Sequence, residues 1–179
     1  MTTDMQKTAL LVMDVQPGII ERVAEPDAFL ARTRAAMAHA RQAGIRIIQV
    51  VVGFRPGAPE ASPMFRQFAA NLIDPRPVIA LGDGDILVTK RRVSAFTGSD
   101  LEVILRNNDV RHLVLAGIAT SGVVLSTIRE AADRDYELTV LSDLCADMDD
   151  EVHTVLTTKV FPRQAKVVTS AEWMAPSQT

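Results

Sequence analysis

A single cysteine, Cys145, rules out an internal disulfide and any multi-cysteine zinc site, and it fits a reducing compartment. Histidine is almost as scarce. His39, His112 and His153 fall in a helix, ahead of a strand and in another helix, without the spacing of a metal-ligand set. There is no Gly-rich phosphate loop and no dinucleotide fingerprint. The one basic run, Lys90-Arg91-Arg92, is too short for a nucleic-acid footprint and reads as a solvated strand end. Every apolar run falls well short of the roughly 20 residues that span a bilayer. The first residues, Met1 to Lys7, show no basic stretch followed by an apolar one, so no secretory signal is expected. These absences predict a soluble, cytoplasmic protein with no cofactor, no metal site, and neither nucleic acid nor membrane as a partner.

What is present points to a compact catalytic or binding domain. Hydrophobic residues make up 47% of 179, enough for a full core in one domain over 1–179, and the net charge of −3 is small. Short apolar runs alternate with amphipathic stretches. Strands are read at 8–14, 45–52, 86–89, 111–117, 137–142 and 166–168. Helices are read at 27–43, 99–107, 121–134 and 149–159. In the first of these Asp27 is the expected N-cap, Phe29, Leu30, Thr33, Met37 and Ala40 share one face, and Gly44 is the stop. From Gly53 to Asp85 turn signals crowd together (Arg55-Pro56-Gly57, Ala58-Pro59, Ser62-Pro63, Asp74-Pro75-Arg76-Pro77), and so long an irregular segment is more often functional than idle. The fold class that follows is α/β: an open parallel six-stranded sheet with helices on both faces, a Rossmann-like three-layer arrangement. Crossovers are right-handed and ligands bind beyond the carboxyl ends of strands, so Asp14, Lys90 and the 117–123 turn should meet at one edge.

Three segments carry the candidate chemistry. Asp14 ends the strand Leu10-Leu11-Val12-Met13, where desolvation raises a carboxyl pKa and a nearby ammonium lowers it, the balance an acid/base group needs. Lys90 ends Ile86-Leu87-Val88-Thr89 and precedes Ser94-Ala95-Phe96. The third segment is Ala116-Gly117-Ile118-Ala119-Thr120-Ser121-Gly122-Val123-Val124-Leu125-Ser126-Thr127, a strand running into a helix, whose backbone N–H groups can polarise a carbonyl or hold an anion.

In this order the three segments resemble the isochorismatase-like hydrolase superfamily, which includes nicotinamidases, N-carbamoylsarcosine amidohydrolases and isochorismatases. The resemblance covers nearly the whole chain and implies a six-stranded parallel sheet with Asp14 and Lys90 as a catalytic pair. It also implies Gln16, Ile118, Ala119, Thr120, Gly122 and Val123 as residues facing the substrate, and Arg55 joins them on its own chemistry. Some families of this fold have a non-proline cis peptide before the Ala-Thr of the turn. Most members carry a cysteine where this chain has Val123, and valine has no ionisable atom, so thiol chemistry at that position is excluded. Ser121, Ser126 and Cys145 are weaker candidates: no histidine sits at a matching strand end to activate a serine, and Asp143 and Asp147 should raise the thiol pKa. The histidines that hold a divalent ion in nicotinamidases have no counterpart in Val52-Gly53-Phe54-Arg55-Pro56-Gly57.

Isochorismatases proper also lack the cysteine. In them the aspartate protonates a vinyl-ether carbon and water attacks the resulting oxocarbenium ion, with no covalent intermediate. Where they often carry Gln before Pro-Gly this chain has Arg55, a residue suited to gripping a carboxylate in bidentate fashion. The expected function is therefore hydrolysis of a small carboxylated molecule by Asp14, without metal or cysteine. The alternative is a catalytically silent binding or assembly protein of the same fold. A homo-oligomer is expected, with Val152, Val155, Leu156, Val160 and Phe161 as its apolar surface.

Overall fold

The computed structural model describes residues 5–69, 72 and 75–176. The first four residues of the signal-segment reading, Asp74 of the proline-rich stretch, and both ends of the 1–179 domain assignment lie outside the described residues. Strand β1 (Thr8–Met13) is buried along its whole length. Its Ala9, Leu11 and Met13 enter one core while Leu10 and Val12 enter another, because successive side chains of a strand point to opposite faces. A strand apolar on both faces must be covered on both, hence a layered α/β fold.

Strands β2 (Arg46–Val52), β3 (Ile86–Lys90), β4 (His112–Ile118), β5 (Glu137–Ala146) and β6 (Lys166–Val168) join β1 in one parallel sheet of order β3-β2-β1-β4-β5-β6. The expected fold class is the observed one. Helix α1 (Pro26–Gln42) contributes Phe29, Met37 and Ala40 to the core on one face, where Trp173 of the C-terminal helix also packs. After a short helix α2 (Arg66–Ala69), α3 (Leu101–Asn107) and α4 (Leu125–Ala132) cover the other face through Leu101, Leu105, Ile128 and Ala131. Helices α5 (Asp150–Val155) and α6 (Ser170–Met174) complete the chain. The chain winds outward from β1 to β3 on one side and from β4 to β6 on the other. The crevice between β1 and β4 is therefore the switch point where such sheets bind ligands.

Several expectations are corrected. Helix α1 is flanked by Glu25 at the N-cap position and opens on Pro26, so Asp27 lies within the first turn, where its charge suits the helix dipole. Gly44 does end it, at φ 72. Helix 121–134 begins as a wide turn over Thr120–Val124 before the regular helix, and the 149–159 helix widens at Leu156–Val160. Strand β5 runs on to Ala146, four residues past its expected end at 142. Backbone pairing continues there, with Gly117 opposite Cys145 and Ile118 opposite Ala146 after a register shift. Helix α6 was legible but unread: Thr169 and Glu172 form a capping box at its start. In the expected association surface, Val152 and Val155 are exposed, but Phe161 is 1% exposed and belongs to the core. No described helix is long and apolar enough to cross a membrane.

Candidate active site

Asp14 follows β1 directly, with φ 59, and its N–H donates to the Val50 carbonyl at 2.8 Å. Lys90 closes β3, two strands away. Their side chains meet at the carboxyl edge of the sheet, with Lys90 Nζ 3.0 Å from Asp14 Oδ2 and both side chains largely shielded from solvent. The ammonium also donates to the carbonyls of Arg92 at 2.9 Å and Val93 at 3.1 Å. Its three protons thus have three acceptors, which makes burial of this cation tolerable. Asp14 is less well served. Its Oδ1 is buried without a hydrogen-bond partner. Burial pushes the carboxyl up to about 6, against the opposing pull of Lys90.

The third segment closes the site from the other side of the switch point. Gly117 is required by close approach: a Cβ there would lie 2.4 Å from the Met13 carbonyl oxygen. The Ile118–Ala119 peptide is cis. Beyond it the Ala119 carbonyl accepts from the amides of Gly122 at 3.1 Å and Val124 at 3.3 Å. The Ser121 N–H donates to Asp147 Oδ2 at 2.7 Å, so Asp147 caps the turn. The Ser94-Ala95-Phe96 stretch and Thr127, which carry part of the resemblance, hold each other: the Ala95 N–H donates to Thr127 Oγ1 at 3.0 Å.

These residues surround a cavity of about 300 Å³. Asp14 and Lys90 reach it, as do Ile118, Ala119, Gly122 and Val123 of the turn. The irregular 53–85 segment supplies much of the remaining wall through Phe54, Phe65, Phe68 and Leu72. That segment has a small core of its own around Phe54, Ala58, Ala61, Ala69 and Leu72. Its length is thus spent on shaping the cavity. Arg22, the last residue of the 3-10 turn Ile20–Arg22, Val23 after it and Met148 also line it.

Three expected substrate contacts fall elsewhere. The Gln16 amide is buried and spent on one residue, donating to the Val52 carbonyl at 3.0 Å and accepting from the Val52 N–H at 2.8 Å. It clamps the ends of β1 and β2. Arg55 is outside the lining and paired with Glu60 at 3.3 Å, because the loop turns its side chain to solvent. Thr120 is fully buried behind the turn, with Oγ1 2.8 Å from His153 Nδ1. Sequence reading missed that Thr120–His153 contact, and it missed Arg22, which no spacing signal marks. Cys145 sits within β5 and away from the cavity. Burial pushes its thiol up to about 12, helped by Asp143, while Asp147 turns instead to the Ser121 amide. Among the described residues no three His, Cys, Asp or Glu side chains gather to hold a metal ion.

Comparison with known proteins identifies the family. The isochorismatase domain profile matches residues 8–172. The chain is 33% identical to the uncharacterized isochorismatase family protein YwoC of Bacillus subtilis, over 96% of this chain and 94% of that protein. It is also 33% identical to the ureidoacrylate amidohydrolase RutB of Stutzerimonas stutzeri, over 76% of this chain and 68% of that one. Among solved structures, an isochorismatase family protein from Burkholderia thailandensis superimposes with a TM-score of 0.82 at 29% identity, over 93% of each chain. The profile match, the relatives and the shared six-stranded architecture together establish that this chain belongs to the isochorismatase family of hydrolases.

Proposed function

We propose that the protein hydrolyses a small carboxylated molecule, with Asp14 as acid and then base, Lys90 as its electrostatic partner and water as the nucleophile. The observation that carries this reading is the condition of Asp14. One oxygen is held by Lys90, the other is buried and unpartnered, and the carboxyl titrates at about 6. Near neutral pH such a group exists in both protonation states, as an acid/base catalyst must.

The steps balance without a covalent intermediate. Asp14 gives its proton to the substrate, which becomes electrophilic, and Lys90 stabilises the carboxylate left behind. Water adds to the electrophilic carbon and its released proton returns to Asp14. The intermediate then collapses to two products. Val123 packs against the substrate from the turn, at the place where a thiol would otherwise attack. The name of the relative RutB supports a ureido or amide substrate, while the valine supports an acid-labile enol ether; both are hydrolysed by water in this scheme.

The test is turnover of a panel of carboxylated enol ethers, amides and ureido acids read by mass spectrometry. The wild type should convert at least one, and Asp14→Asn should bind that compound without converting it. A wild type that binds panel members but releases no product from any of them would instead be a silent binding protein, and the hydrolase reading would fall.

A further inference from the structure

We infer that Arg22 is the anion anchor of the cavity, selecting small carboxylates with an apolar body of about one ring or a short chain. This role rests on the hydrolase reading of the cavity and names its substrate class. Most of the cavity wall is hydrocarbon, from Ile19 and Val23 through Phe54, Phe65 and Leu72 to Met148. Four cations break that surface, and three are already committed. Lys90 holds Asp14 and two carbonyls. The Arg91 guanidinium donates to the Gly53 carbonyl and lies 3.7 Å from Glu60. The Arg92 guanidinium donates to the carbonyls of Glu60 and Arg91. Both arginines thereby pin the irregular segment to the end of β3.

Arg22 differs. Its guanidinium has no carboxylate or carbonyl partner among the described residues and lies 4.9 Å over the ring of Phe68, another lining residue. A guanidinium seated on an aromatic face keeps its edge N–H groups free, and those match the two oxygens of a carboxylate. The acidic lining residue beside the turn does not compete, since Asp147 accepts from the amides of Ser121 at 2.7 Å and Met148 at 2.9 Å. Arg22 also lies on the loop leaving Asp14, so an anion held there fixes where the rest of the molecule meets the acid. A cavity of about 300 Å³ lies at the small end of ligand sites.

The experiment is titration calorimetry of the full chain with benzoate and cyclohexanecarboxylate against benzamide and cyclohexanecarboxamide. The wild type should prefer each acid to its neutral amide by about ten- to a hundredfold, the range of one charge-assisted contact. Arg22→Gln should erase that preference while leaving amide binding unchanged, and Arg22→Lys should restore part of it. Equal wild-type affinity for acid and amide, a preference that survives in Arg22→Gln, or no binding of either acid overturns the assignment. Asp14→Asn separates the two readings. If the acid preference is present in both the variant and the wild type but the wild type turns over no substrate, the hydrolase reading fails and the anchor stands. If turnover occurs without any preference for acids, the anchor fails and the hydrolase stands.

Discussion

Strand β3 is bounded by two ion pairs with hidden carboxylates, and they are opposite in character. Before its first residue, Asp85 meets Arg41 at 2.5 Å, and its carboxylate also accepts from the Gly82 N–H at 2.9 Å and from Arg41 Nε at 3.3 Å. At its last residue, Lys90 meets Asp14 at 3.0 Å. The two carboxylates are similarly hidden, with side chains 3% and 8% exposed. At the Asp85 end both oxygens of the acid are satisfied, while at the Lys90 end the cation is satisfied and the acid is not. A buried carboxylate with full partners is a brace. One left with a free oxygen in a cavity is held ready to exchange a proton.

The largest effect should come from removing the exchangeable proton. Asp14→Asn keeps shape and most hydrogen bonding but should lower turnover by about 10²–10⁴-fold, with ligand affinity little changed, as steady-state kinetics and calorimetry would show. Turnover at the wild-type rate would dissolve the contrast between the two ends. Lys90→Met sharpens it from the other side. It strands Asp14 as an unpaired buried charge, so urea denaturation should show a loss of about 3–5 kcal/mol.

Acidity offers a third test, with a sign fixed by the raised pKa of Asp14, from 3.8 to about 6. Between those values the folded protein binds more protons than the unfolded chain, so this group makes stability fall as pH rises. The loss should total about 3 kcal/mol between pH 4 and 6 and stop above that. Asp14→Asn should flatten the curve. For acid-first chemistry kcat/KM should also decline above about pH 6; a rise through that pH would mean that Asp14 starts as a base. The smallest effect belongs to the brace. Asp85→Ala should cost about 1–2 kcal/mol, discounted because the Arg41 side chain is 37% exposed, and should leave kcat/KM unchanged.

Legibility followed the range of the forces involved. The six strands were readable because short apolar runs bounded by turn signals mark strands covered on both faces. Asp14, Lys90 and the 117–123 turn could be brought to one edge because right-handed crossovers leave few alternatives. The last four residues of β5 were not readable, since pairing with Gly117 and Ile118 carries the strand past a polar interruption. Arg55 and Arg22 look alike as letters; only the fold turns one to Glu60 and the other over Phe68 into the cavity.

The amino-acid sequence by itself determined the layered α/β architecture, the family, the identity of the proposed acid and its cation, and the lack of an ionisable side chain at Val123. Tertiary structure alone decided which polar groups are satisfied. Gln16 is spent on Val52, 36 residues away, while Asp14 Oδ1 is left without a partner. The reason is physical: propensity and hydrophobic period act over neighbouring residues, whereas desolvation and hydrogen-bond satisfaction depend on groups that meet only when distant strand ends pack together.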